Sequence, residues 1–243
     1  MEQDVLNRFL QMIENSQNIV FFGGAGVSTE SGIPDFRSKD GLYNQKYAYP
    51  PETILSHTFF MKHTEEFFQF YRDKMDCLNV MPNVTHQKLV ELEQKGKLKA
   101  IVTQNIDGLH QKAGSKKVFE LHGSVLRNYC MKCGRVHTAE YVFHESKGIP
   151  KCQKNNCVGI VKPDVVLYEE SLNDEVVAGA VDSIAHADTL IIGGTSLTVY
   201  PASGLINYFR GDNLVLINRD ATPLDARADL VINESLGEVF SKL

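Results

Sequence analysis

The chain has 243 residues, 43% of them hydrophobic, and a formal net charge of −5. That length holds one large domain, or one domain with an inserted module, and the hydrophobic share suffices for a sizeable core. The acidic balance argues against a nucleic-acid partner, which calls for a basic face, and no run approaches the length of a membrane span.

Val5, Leu6, Phe9, Leu10, Met12 and Ile13 fall at helical spacing, which predicts an amphipathic helix over residues 3–15. The same acidic, periodic stretch reads as neither a signal nor a transit peptide, so the expected location is the cytoplasm. Ile19-Val20-Phe21-Phe22 is a short β-branched and aromatic run bounded by glycine, as in a parallel strand covered on both faces. In Gly23-Gly24-Ala25-Gly26 the backbone N–H groups can approach a ligand with no Cβ between. Ser28, Thr29 and Ser31 can then cap a helix and donate to phosphate. Strand, glycine turn and helix start describe a pyrophosphate cradle, although a plain βα turn carries the same pattern. The dinucleotide fingerprint G-x-G-x-x-G is incomplete: Gly24 and Gly26 supply G-x-G, but Thr29 stands at the third glycine. The acid expected about twenty residues later, at the end of a second strand, is also missing. The tail Gly32-Ile33-Pro34-Asp35-Phe36-Arg37-Ser38 puts an aromatic, a guanidinium and a carboxylate on one stiffened loop, as a lid over a nucleotide would.

Residues 41–81 carry no strand signal, and 58–75 read as a phenylalanine-rich helical insertion packed on the sheet. Thr85 is the expected cap of a helix running to Gly96, with Leu89, Val90 and Leu92 inward and His86 structural. A strand over 100–103 delivers Gln104-Asn105-Ile106-Asp107-Gly108-Leu109-His110 beyond its C-terminal end, where open α/β sheets place ligands. Asparagine and aspartate serve equally in a turn before a helix. A strand over 118–121 ends in His122-Gly123 on the same rim. Of eight histidines this one is best placed to be a base, although a histidine after a strand is more often a surface residue.

Cys130-x2-Cys133 and Cys152-x4-Cys157 are two knuckles joined by a polar, Lys/Gly-rich ribbon. Four thiolates at such spacing fit a closed, tetrahedral, structural zinc site better than disulfides or unrelated thiols. Cys77 stands alone and reads as inert. Residues 162–170 are expected to return to the sheet. Residues 189–194 form another buried strand ending in Gly194-Thr195-Ser196-Leu197, a second glycine–hydroxyl turn suited to ribose or phosphate, and Pro201 fits the first turn of a following helix. Residues 214–217 end in Asn218 at the rim, and 229–232 are a last strand with Leu236 near its end. The residues thus predict an α/β fold: a doubly wound, Rossmann-like parallel sheet of six or seven strands, with a small domain of zinc ribbon plus helical insertion. Segments 1–40, 82–125 and 162–243 make the nucleotide-binding domain, 41–81 and 126–161 the small one, and the cleft lies between.

The strings G-A-G-V-S, G-I-P-D-F-R-S, T-Q-N-I-D-G-L-H, H-G, P-D-V-V, G-T-S-L and I-N occur in that order. Together they resemble the sirtuins, whose bacterial members are NAD-dependent protein deacetylases. The resemblance implies NAD as co-substrate, structural zinc on Cys130, Cys133, Cys152 and Cys157, and an acyl-lysine protein or peptide as partner; a monomer is the expected state. It assigns NAD contacts to Gly24, Ala25, Gly26, Thr29, Ile33, Asp35, Phe36, Arg37, Gln104, Asn105, Ile106, Asp107, His122, Gly194, Thr195, Ser196, Asn218 and Leu236. In the family's mechanism the acyl-lysine oxygen attacks the nicotinamide ribose as nicotinamide departs. Asn105 would position the ribose and a water, Asp107 would hold the carboxamide, Phe36 would exclude water, and His122 would act as general base. The incomplete fingerprint agrees with NAD being cleaved and not reduced.

Val165, Val166 and Tyr168 would pair with the substrate backbone by strand addition. Two departures stand out there: Lys162 replaces an arginine, and Tyr168-Glu169 stands where phenylalanine-glycine is common. Sirtuins that favour succinyl or malonyl groups carry a Tyr-x2-Arg pair, matched here by Tyr71 and Lys74, so acetyl or another uncharged group is the expected preference. A mono-ADP-ribosyltransferase on the same fold and a non-catalytic NAD- or zinc-binding module are the alternatives.

Overall fold

The computed structural model of the chain describes residues 2–35, 41 and 48–243. Helix α1 (Gln3–Asn15) buries Phe9 and Ile13, as its apolar spacing requires. Strand β1 (Ile19–Gly23) is buried at every position. There follow α2 (Pro51–Ile54), α3 (His57–Lys62), α4 (Thr64–Lys74), α5 (Val84–Gln94), β2 (Leu98–Thr103), α6 (Leu109–Ala113) and β3 (Val118–Glu120). Strands β4 (Gly123–Cys130), β5 (Val136–His137) and β6 (Val161–Val165) come next, then α7 (Asp174–Ala185), β7 (Thr189–Gly193), β8 (Asn213–Ile217), β9 (Leu230–Ile232) and α8 (Leu236–Phe240). Among the described residues no helix is long and apolar enough to cross a membrane.

Six strands pair in the order β3-β2-β1-β7-β8-β9, all parallel. The chain therefore works outward from β1 on one side, crosses over, and works outward from β7 on the other. Alternate residues of each strand feed opposite cores. Phe21 joins Phe9, Ile101, Ile191, Val215 and Phe240 on one face, while Val20 and Phe22 join Val102, Ile192 and Leu216 on the other. Gly23 lies opposite both Thr103 and Gly193, so the loops after β1, β2 and β7 leave the sheet at one level. The crevice where the strand order reverses, between β1 and β7, is where such sheets bind ligands.

A second sheet is small and antiparallel, in the order β5-β4-β6. The sequence predicts that residues 162–170 return to the large sheet; the strand there, β6, pairs instead with β4. Gly123 makes the close approach possible: its φ is +75°, and a Cβ there would lie 1.9 Å from the Asp164 carbonyl oxygen. The helical insertion and the ribbon share one core, in which Phe60, Phe67 and Tyr71 meet Val125, Phe143 and Val161. Tyr71 stacks on Phe143 with ring centroids 5.0 Å apart.

Four local details differ from expectation. After the glycine turn the chain makes two 3₁₀ turns, Ala25–Val27 and Thr29–Ser31, and no hydroxyl caps either. Ser28 and Thr29 are engaged elsewhere, with Asp107 and with the Gly26 carbonyl. The helix over 58–75 is divided at His63 (φ −128°, ψ 50°). The cap of α5 is Asn83, not Thr85: its side chain accepts the Thr85 N–H, and His86 closes a reciprocal capping box. Asparagine caps better than threonine, and two residues earlier it leaves Thr85 free to be buried. Beyond Pro201 the chain runs as a 3₁₀ segment, Ala202–Tyr208, in place of an α-helix.

Candidate active site

The glycine turns after β1 and β7 pack backbone against backbone. The Gly24 N–H donates to the Gly193 carbonyl (3.2 Å) and the Gly26 N–H to the Gly194 carbonyl (2.8 Å). A Cβ on Gly26 would lie 2.7 Å from Gly194 Cα, and one on Gly194, whose φ is +61°, would lie 2.6 Å from the Val27 nitrogen. A side chain at either position would force the two turns apart. A bare backbone surface at the switch point is what the diphosphate of a dinucleotide requires, so the residues present fit NAD.

The loop after β2 supplies the polar groups. Ser28 Oγ donates to Asp107 Oδ2 (2.7 Å) and accepts from Asn105 Nδ2 (3.1 Å). Asp107 Oδ1 accepts the Leu109 N–H at 2.9 Å. Burial raises the Asp107 carboxyl above its ordinary pKa, against the opposing pull of these two donors. Gln104 Nε2 donates to Thr195 Oγ1 at 3.1 Å, tying the β2 loop to the β7 turn. His122 Nδ1 lies 2.9 Å from the Gln104 carbonyl oxygen. A carbonyl only accepts, so Nδ1 carries the proton and Nε2 keeps its lone pair. Burial lowers the His122 pKa, which keeps the imidazole neutral with its Nε2 lone pair available, and that hydrogen bond partly offsets the shift.

These groups face one cleft of about 570 Å³. The structure brings to its wall Gly24, Ala25, Gly26, Thr29, Ile33 and Asp35, then Gln104, Asn105, Ile106, Asp107 and His122. Gly194, Thr195, Ser196, Asn218 and Leu236 line it on the β7–β8 side, and Val165, Val166 and Tyr168 at the small sheet. Phe36 and Arg37 lie outside the described residues.

The four cysteine sulfurs lie within 4.8 Å of one another. Cys130 and Cys157 are 3.6 Å apart and Cys133 and Cys152 3.7 Å, far beyond a disulfide bond of about 2.05 Å. Four bonds of about 2.3 Å in a tetrahedron would set the sulfurs about 3.8 Å apart, so the cluster fits a closed zinc site.

Residues 24–201 match the Sir2 family. The chain belongs to the Sir2 family. It is 63% identical over 243 residues to an NAD-dependent protein deacetylase of Clostridium perfringens (strain 13 / Type A), covering 99% of this chain and 98% of that one. A solved Sir2 with a p53 peptide and NAD+ shares 38% identity at a TM-score of 0.87, over 100% of this chain and 97% of the other. Another, with a deacetylated p53 peptide and 3′-O-acetyl ADP-ribose, shares 38% identity at a TM-score of 0.90, over 98% and 96%.

In this Sir2 chain several wall residues escaped the sequence reading. Ser28 is the hub between Asn105 and Asp107, a role hidden because any hydroxyl beside a glycine turn suggests a cap. Cys77 lines the cleft with its sulfur 3.8 Å from the Asp107 carbonyl. Burial, then the nearby carboxylates, push its thiol up to about 12, which keeps it unreactive. Arg219, Asp220 and Glu234 add charge at the β8 end. Tyr71 and Lys74 both reach the cleft. The buried Tyr71 hydroxyl meets no partner among the described residues, and Lys74 Nζ lies 2.9 Å from Asp73 Oδ2.

Proposed function

We infer that this chain is an NAD-dependent protein-lysine deacetylase that releases nicotinamide and an O-acyl-ADP-ribose. The observation that carries the reading is one cleft with a bare glycine cradle at the switch point and, on its wall, a neutral histidine whose Nε2 is free to take a proton. NAD supplies an electrophilic ribose carbon when bound. Asn105, steadied by Ser28, positions the ribose and a water, and Asp107 holds the carboxamide with Ile33 and Ile106 alongside. His122 takes a proton from the ribose hydroxyls through Nε2. Val165, Val166 and Tyr168 form the edge that receives the acyl-lysine peptide, Phe36 keeps the water-excluding role that the resemblance gives it, and Arg37 keeps its assigned NAD contact. The zinc would hold the ribbon by Cys130, Cys133, Cys152 and Cys157, away from the chemistry. A thiolate site suits a reducing compartment, the cytoplasm, and a cleft built from one chain suits a monomer.

Mass spectrometry of an acetyl-lysine peptide incubated with the protein and NAD tests this. The expected result is loss of the acetyl group with equal amounts of nicotinamide and acetylated ADP-ribose. His122→Ala should lower that turnover by about 10²–10⁴ while NAD still binds. ADP-ribose attached to protein would favour the transferase, and unchanged peptide and NAD would leave a binding module.

A further inference from the structure

Among the described residues only Asn156, Glu169 and Leu197 combine a side chain with a positive φ. Glu169, at +75°, sits in a region that glycine enters freely and L-residues enter under strain. It lies on the loop that continues from Val165 and Val166 along the cleft, and its carboxylate is held in one place. Thr58 donates both its N–H (2.8 Å) and its hydroxyl (2.7 Å) to Glu169 Oε2. No protein donor among the described residues uses Oε1. The adjoining Glu170 has a partner on each oxygen: His57 Nδ1 pairs with one, and Lys162 Nζ and the Leu167 N–H with the other. Backbone bonds from Tyr168 to the Leu55 carbonyl and from His57 to the Tyr168 carbonyl, both 2.9 Å, fix the loop against the start of α3. The bonds from Thr58, with His57 and Lys62 nearby, hold Glu169 below the usual carboxylate range, so it is charged at neutral pH.

We propose that Glu169 is a specificity residue that selects acyl-lysine segments carrying an arginine or lysine beside the acyl-lysine, on the side facing α3. The proposal rests on the deacetylase reading. A cation in the bound segment pairs with Oε1, and an acid meets a like charge that Thr58 prevents from swinging away. Because the carboxylate is already immobilised, pairing costs it little rotamer freedom, which is the usual reason exposed ion pairs are weak.

The test uses acetyl-lysine peptides that differ only in having arginine, alanine or glutamate at each flanking position in turn. Binding is read by fluorescence anisotropy and turnover as kcat/KM, for the wild type, Glu169→Gln and Glu169→Gly. At one flanking position the wild type should prefer arginine over glutamate by roughly three- to tenfold at low salt. Glutamine can still accept from Thr58 but has no charge, so it should abolish that preference while handling the alanine peptide like the wild type. An unchanged arginine-to-glutamate ratio in Glu169→Gln, with all peptides weakened alike in Glu169→Gly, would mean that Glu169 only braces the loop and would overturn the proposal. Equal handling of all peptides by the wild type would also overturn it. Preferential binding of the arginine peptide without removal of its acetyl group would keep the Glu169 assignment and sink the deacetylase reading instead.

Discussion

Replacing Ser28 with alanine tests the polar hub of the site. The hydroxyl donates to Asp107 Oδ2 at 2.7 Å and accepts from Asn105 Nδ2 at 3.1 Å, and Oδ2 has no second protein donor among the described residues. A hydrogen bond to a charged group contributes about 1.5–3 kcal/mol. For a chain of this size a loss of ~2 kcal/mol lowers Tm by about 4–8 °C. The deficit should depend on pH in a definite direction. Burial raises the folded pKa of Asp107, and the Ser28 hydroxyl opposes that rise. Its removal lets the pKa climb further. The carboxyl is neutral in both folded and unfolded states below its ordinary value of about 3.8, and ionises in the folded state only at higher pH. The variant should therefore resemble the wild type in acid and fall behind as pH rises through the folded pKa, reaching its full deficit near neutrality. Thermal unfolding of both proteins from about pH 4 to pH 7.5 reads this directly. A deficit that is constant across the range, or absent at neutral pH, would refute the role given to Ser28.

Cys130→Ser or Cys152→Ser should release zinc and unfold the ribbon, since so polar a segment has no independent core; metal analysis should find about one zinc per wild-type chain and less in the variants. His86 and His110 are buried with ring centroids 4.8 Å apart, and burial pushes their pKa values down to about 4 and about 3. Both are lower than in the unfolded chain, so their contribution is complete above about pH 6.5 and is lost as pH falls, by ~2 kcal/mol for each at pH 5; His110→Leu should flatten that slope in pH-dependent unfolding. Lys74, paired with Asp73 at 2.9 Å, lacks the planar fork that grips a carboxylate. Acetyl should therefore be removed faster than succinyl in kcat/KM on one peptide, and the reverse order, lost in Lys74→Met, would overturn that preference.

The sequence by itself determined the large sheet and the place of its site. Ile19 to Phe22 and residues 189–194 can only be buried strands, because their apolar runs leave no face for water. In a parallel sheet the residues after each strand necessarily share one edge. Gly24, Gln104, His122 and Gly194 thus converge without any knowledge of their contacts. The cysteine knuckles were legible for a similar reason, since ligand chemistry dictates their spacing. Tertiary structure alone decided which partners the polar groups found. Ser28 meets Asp107 across 79 positions of sequence, β6 pairs with β4 and not with the large sheet, and Glu169 accepts a positive φ where Thr58 can hold its carboxylate. Strand and helix periods record only which face of an element is buried. A hydrogen bond depends on where a distant segment delivers its donor, to within a few tenths of an ångström, and no local pattern carries that distance.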